Sequence, residues 1–229
     1  MTGIIGAMES EVKSIYQKMT SKEEIKAGDL VFYKGLLCGK EVVVVKCGIG
    51  KVNAALCTQI FISRFNPQKI INTGIAGATG NGLQIYDFVV STKAVYHDFD
   101  TTYFGYKLGQ VPGMPETFDA DKNLIDIAVK SFSKTELSQN HKIRTGIIAS
   151  GDQFVSDSKK KNIIVENFSP ECVEMEGTAI AHTCYKNDIP FVIIRCMSDC
   201  ADDNVETVYD EEKASFISSS FLLELIKDI

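Results

Sequence analysis

Three histidines, no Cys-x-x-Cys pair and no basic cluster mark this 229-residue sequence by what it lacks. Without clustered histidines or paired cysteines, a zinc site has no ligand set. The seven cysteines are scattered at 38, 47, 57, 172, 184, 196 and 200, an odd number without a framework spacing. A disulfide scaffold is therefore excluded. Cys196 and Cys200 are read as buried thiols, and His97 and His182 as packing residues in apolar surroundings. The formal net charge is −6, and no basic patch offsets it. Nucleic acid and anionic lipid are thus unsuited as partners. The basic run "SDSKKKN" (156–162) is read as a solvated helix start. No apolar run approaches the ~20 residues of a membrane span. The start, "MTGIIGAMESEV", has neither a basic n-region nor a long apolar h-region. These absences together lead to the expectation of a cytoplasmic protein.

What is present is an alternation. Hydrophobic residues make up 45% of the chain and charged residues 24%, enough for a full core in one domain spanning 1–229. Val- and Ile-rich runs at 3–8, 30–37, 41–47, 69–74, 86–91, 93–99, 143–150, 172–175 and 191–198 predict strands. Helical periodicity covers 9–20, 51–65, 121–133, 157–167, 176–187 and 209–227. This order predicts a single three-layer α/β domain, a central mixed twisted sheet with helices on both faces. The loop 104–118, rich in Gly, Pro and aromatic residues, is long enough to predict a contact with ligand or partner.

The strand ends carry the chemistry. Gly48-Ile49-Gly50, Ile75-Ala76-Gly77, Gly151-Asp152-Gln153-Phe154 and Ser198-Asp199 each follow a predicted strand, and so do Glu11 and Glu176. Ligands of α/β sheets bind beyond the carboxyl ends of strands. Glu11, Glu176 and Asp199 could meet there, and neighbouring buried acids separate into a proton donor and an acceptor. The alternative is ordinary: Glu11 and Glu176 complementing helix dipoles and Asp199 capping a turn. The glycines of "TGIAGATGNG" (73–82) precede a further strand instead of a helix, so a dinucleotide turn is excluded. "GIGKVNAA" (48–55) opens a helix but lacks a P-loop signature, and is read as close backbone packing beside a ligand.

"GIIGAMESEV", "GIGKVNAA", "IINTGIAG", "YHDFDTTYFGYKLGQVPG", "SGDQFV", "VEMEGTAIAH" and "RCMSDCADD" stand in this order along nearly the whole chain. In sequence and spacing they resemble the bacterial 5′-methylthioadenosine/S-adenosylhomocysteine nucleosidases of the nucleoside phosphorylase superfamily. The resemblance implies hydrolysis of an N-glycosidic bond with release of adenine, without a cofactor. It implies that Asp199 protonates adenine N7, that Glu11 activates water, that Glu176 holds a ribose hydroxyl and that Arg195 lies near the water. It further implies that Met175 packs on the ribose and that Phe154 stacks on the base, with backbone groups of Phe154 and Val155 reading its edge. Met8, Ile49 and Tyr209 would line a 5′-alkylthio pocket. Gly77 and Ser198 fall in the same motifs. Thr101, Phe104 and Pro112 match positions that reach the other subunit's pocket, implying a homodimer joined through the 101–115 loop.

Three residues depart from the pattern. Ile75 stands where a small hydroxyl residue is frequent, Tyr209 where Phe is familiar and Thr101 where an apolar residue is common. Ile75 implies loss of one hydrogen bond near the water or ribose, whereas Tyr209 and Thr101 make the 5′ pocket more polar and leave the preferred 5′-substituent open. The role of Glu174, two residues before Glu176, stays open between the site and a structural hydrogen bond. A phosphorylase of the same fold and a catalytically inactive nucleoside-binding module are the alternatives. The first needs a cationic phosphate site where "AMESEV" places two acids.

Overall fold

The computed structural model describes residues 1–203 and 209–229. The strands are β1 (Thr2–Gly6), β2 (Thr20–Ala27), β3 (Leu30–Leu37), β4 (Lys40–Lys46), β5 (Lys69–Ala78), β6 (Phe88–Tyr96), β7 (Phe118–Asp119), β8 (Ile143–Ser150), β9 (Cys172–Glu174) and β10 (Phe191–Asp199). The described helices are α1 (Glu9–Gln17), α2 (Lys51–Phe65), α3 (Lys122–Phe132), α4 (Ser158–Phe168), α5 (Gly177–Lys186) and α6 (Glu211–Asp228). All strands belong to one sheet of mixed direction, in the order β10-β6-β8-β9-β5-β1-β4-β3-β2 with β7 on β6.

Two apolar layers cover this sheet, as the pleat requires. Along β4, Val43 and Val45 face a cluster with Phe61, Ala179 and Ile180 of α2 and α5. Val42 and Val44 face the opposite cluster, with Val12, Leu124, Phe132 and Phe221 of α1, α3 and α6. Alternate residues of one strand thus feed both cores, which accounts for the unbroken "VVVV". Phe221 is fully buried and sits edge-on to Phe88 and Phe132, with centroids 5.1 and 5.3 Å away. Phe221→Ala should cost about 3–5 kcal/mol in urea unfolding, since the site is rimmed by stiff aromatic rings that collapse poorly.

The sheet also turns back on itself. β10 pairs with β5 as well as β6, and β9 bridges β5 to β8. Five strands, β5, β9, β8, β6 and β10, thereby form a ring. In its register Asp199 lies beside Gly77 and Val173 lies across from Gly77. Strand ends distant in sequence therefore open into one space.

Four strands differ from the sequence expectation, one being the two-residue β7 at the end of the run read as a loop. β2, "TSKEEIKA", is an exposed edge strand with no apolar alternation to announce it. Its charges suit an edge that must not pair with another sheet. Residues 86–91 and 93–99 are one strand, β6, interrupted only by a register shift between Ser91 and Lys93. β5 runs on through Ala78, past Gly74 and Gly77, and the next element after Gly80 and Gly82 is β6 and not a helix.

Candidate active site

A cavity opens at the carboxyl ends of the ring strands. Its wall includes Met8, Glu11, Ile49, Ile75, Gly77, Phe154, Val155, Glu174, Met175, Glu176, Ser198, Asp199 and Tyr209, so most candidates from separate motifs meet in one place. Apolar side chains with a few converging polar groups give it the make-up of a small-molecule site.

Glu11 is the third residue of α1 and turns back over the helix start. Its Oε2 accepts from the Ala7 and Met8 amides at 2.6 and 3.0 Å. Its Oε1 accepts from the Ile75 amide at 3.0 Å. This is the returning arm of a capping box, joined to a neighbouring strand. Burial pushes the Glu11 carboxyl up, while Arg195 and the three amides pull against the shift. Ile75 serves Glu11 through its backbone, so its side chain can depart from a hydroxyl without loss of that bond.

Glu174 ends β9, and its role is now explicit. Its Oε2 accepts from the amides of Glu176 and Gly177 at 3.0 and 2.7 Å, where α5 begins. The Ser150 hydroxyl donates to Oε1, and Arg195 Nη2 donates to Oε2. Glu174 therefore caps the helix and anchors the arginine while touching the cavity with one edge. Glu176 reaches the cavity by the turn into α5 and not along an extended strand, with φ −133° and ψ −37°. Its Oε1 accepts from the Gly50 amide at 2.8 Å.

Arg195 is fully buried behind the acids and forms no part of the wall. Nη2 donates to Asn72 Oδ1 at 2.8 Å, and the guanidinium lies 3.9 Å from both Glu11 Oε1 and Glu176 Oε2. One cation faces three carboxylates. Burial, then the nearby Glu174 charge, pushes the Glu176 carboxyl up to about 8, opposed by Arg195 and the Gly50 amide. Space for this arrangement comes from Gly74, where a methyl group would collide with both Arg195 Nη1 and Glu11 Oε1.

Asp199 closes the far side. Its Oδ2 accepts from the Ser198 hydroxyl at 2.8 Å and its Oδ1 from the Ala201 amide at 2.7 Å. Burial raises its carboxyl above the usual range against both bonds. A side chain at Gly77 would stand 2.9 Å from Oδ1. Phe154 and Tyr209 form an aromatic corner, centroids 5.8 Å apart and nearly perpendicular.

Some candidates lie elsewhere. Thr101, Phe104 and Pro112 do not line this cavity, and Phe104 is 73% exposed. His182 stacks on Phe118 and hydrogen-bonds Tyr96, and neither it nor His97 lines the wall. Cys196 is a buried free thiol, and Cys200 a half-buried one. Among the described residues no cluster of His, Cys, Asp and Glu could hold a metal ion. Asn72, Gly74 and Ser150 are structural members of the site that motif reading missed. They bear no reactive group, and only three-dimensional proximity to Arg195 and Glu174 shows their part.

Residues 2–226 match the phosphorylase superfamily. The chain belongs to that superfamily. It is 44% identical to the 5′-methylthioadenosine/S-adenosylhomocysteine nucleosidase of Staphylococcus carnosus over 232 residues, covering all of both chains. The fold matches the Neisseria meningitidis nucleosidase of the same name, solved with methylthio-immucillin-A, with TM-score 0.95 and 38% identity, covering 100% of this chain and 99% of that one. It also matches the futalosine hydrolase of Helicobacter pylori, with TM-score 0.93 and 34% identity over 100% and 97% of the two chains. The ring of strands thus belongs to a fold shared with these enzymes.

Proposed function

We propose that this chain hydrolyses the N-glycosidic bond of 5′-methylthioadenosine and S-adenosylhomocysteine, releasing adenine and the 5′-substituted ribose. 5′-Deoxyadenosine and aminofutalosine are further substrates of the same chemistry, the latter in keeping with the futalosine hydrolase relative. The observation that carries the hydrolytic reading is the charge of the wall. Among the described residues lining the cavity there are four acids and no Lys, Arg or His. A phosphate co-substrate needs cationic partners, whereas these acids would repel it.

Each acid has a task suited to its surroundings. Asp199, its carboxyl raised by burial, carries the proton to purine N7, which makes adenine a better leaving group. Glu11, fixed by three amides, orients water and takes its proton as it attacks the anomeric carbon. Glu176 accepts a ribose hydroxyl, and Met175 gives the sugar an apolar face. Positive charge growing on the ribose is stabilised by the acidic wall. Phe154 stacks on adenine, with backbone groups of Phe154 and Val155 at its edge. Met8, Ile49 and Tyr209 receive the 5′ group.

The active unit is a homodimer in this reading. Tyr103 and Phe104 are 92% and 73% exposed, and Ile49, Val52 and Leu56 of the cavity mouth and α2 are exposed too. Such apolar exposure suits a second copy whose 101–115 loop, with Thr101, Phe104 and Pro112, completes the 5′ pocket. A cytoplasmic location and a part in methionine salvage accompany this substrate class. Among the described residues no helix is long and apolar enough to cross a membrane.

A panel of 5′-substituted adenosines, inosine and aminofutalosine, with products identified, tests the reading. Adenine should be released from methylthioadenosine and adenosylhomocysteine. Binding of methylthioadenosine without any release of adenine would instead favour the inactive module. The pH dependence of kcat/KM should be bell-shaped. Activity falls at low pH as Glu11 takes up a proton, with its limb above the usual carboxylate range because burial raises it. It falls at high pH as Asp199 loses the proton that it must donate.

A further inference from the structure

Lys51 opens α2 at the cavity mouth without forming part of its wall. Its Nζ donates to both carboxylate oxygens of Asp98 at 2.6 and 2.7 Å, and lies 3.8 Å from Asp152 Oδ2. Its own amide donates to Asp152 Oδ1 at 2.8 Å, and the Asp152 amide donates to Asp98 Oδ2 at 2.8 Å. Lys51 is thus clasped at both ends. The side chains of Lys51 and Asp98 are only 21% and 11% exposed, so water screens their pair less than it screens a surface pair.

The preceding residue is Gly50, whose amide donates to Glu176 Oε1 at 2.8 Å. Gly50 has φ 96° and ψ 159°, a conformation open essentially to glycine alone. Glycine enters this region without strain and is equally free to leave it, so neighbouring attachments set the direction of its amide. On one side the chain continues through Gly48, also at positive φ, with 86°. On the other, Lys51 is the first firm attachment. The direction of the Gly50 amide, and with it the rotamer of Glu176, therefore depends on how α2 begins.

We propose that Lys51 is a positioning residue for the reaction: its ion pair with Asp98 fixes the start of α2 so that the Gly50 amide holds Glu176 toward the ribose. The pair joins the ends of β6, β8 and β9 through Asp98, Asp152 and Glu176. The proposal rests on the reading that Glu176 holds the ribose hydroxyl, and it assigns a remote cation the task of keeping that acid in place.

A double-variant cycle on the full-length protein tests it, with single-turnover rates and the affinity for adenine. Lys51→Met should lower turnover about tenfold, as a small misplacement of a reacting group does. Asp98→Asn, which keeps the shape but weakens the pair, should do the same. Adenine affinity should be unchanged in both, because adenine sits toward Asp199 and Phe154. In a Glu176→Ala background Lys51→Met should cause no further loss, since it acts through Glu176. Wild-type turnover in Lys51→Met, an undiminished loss in the Glu176→Ala background, or a parallel fall in adenine affinity would each overturn the proposal. Full activity in Glu176→Ala alone would sink the role of Glu176 itself. That result is distinct from a silent Lys51→Met in an enzyme that Glu176→Ala inactivates.

Discussion

Asp199→Asn should lower kcat about a thousandfold, or about 4 kcal/mol of transition-state stabilisation, and leave the melting temperature unchanged. The amide oxygen of Asn can still accept from the Ala201 amide, and its NH2 can donate to the Ser198 hydroxyl oxygen once that hydroxyl turns to Ala76 O, so both contacts that hold the side chain persist. What it cannot do is give N7 a proton. Adenine would then leave with its negative charge uncompensated, and no other wall residue is placed to replace the donor. Steady-state turnover with a melting curve separates lost chemistry from lost fold. Activity close to wild type would refute the assignment of Asp199 as the acid.

The second large effect concerns Arg195. Arg195→Met should destabilise the protein by about 3–5 kcal/mol at neutral pH, because it strands buried carboxylates without their cation. Glu174 loses an ion pair, and Glu11 and Glu176 lose the charge 3.9 Å away. In the variant the folded chain holds the Glu11 and Glu176 carboxyls, already raised by burial and now without the opposing Arg195 charge, protonated to higher pH than the unfolded chain does. Stability is then fully present below the ordinary glutamate range and is lost as pH rises through the raised folded values. Urea unfolding at acidic and neutral pH should show the defect shrinking under acid. An equal defect at both would mean that Arg195 contributes packing alone.

Much of this molecule is legible in its sequence. The six described helices lie within about two residues of their periodic patterns, apart from the early end of α1, a margin usual for helix boundaries. Glu11, Glu176 and Asp199 could be picked out because each follows a strand. The remainder was hidden for physical reasons. β2 is polar because it is an edge, so it lacks the pattern that marks a buried strand. Glu174 and Glu176 are two residues apart yet have different work, since the chain bends between them and one carboxylate caps what the other starts. Gly74 matters only for the space that it leaves Arg195 and Glu11, which belong to strands and helices far away in sequence. The clasp on Lys51 likewise joins residues 51, 98 and 152. Such relations arise from the ring closure of β5, β9, β8, β6 and β10 and from no local signal.

The most direct measurement is the fate of methylthioadenosine in phosphate-free buffer made with heavy-oxygen water. An acid-lined cavity that directs water to the anomeric carbon predicts full-rate release of adenine, with the label on the methylthioribose and none on the base. Release that requires added phosphate, with a ribose 1-phosphate product, would contradict it.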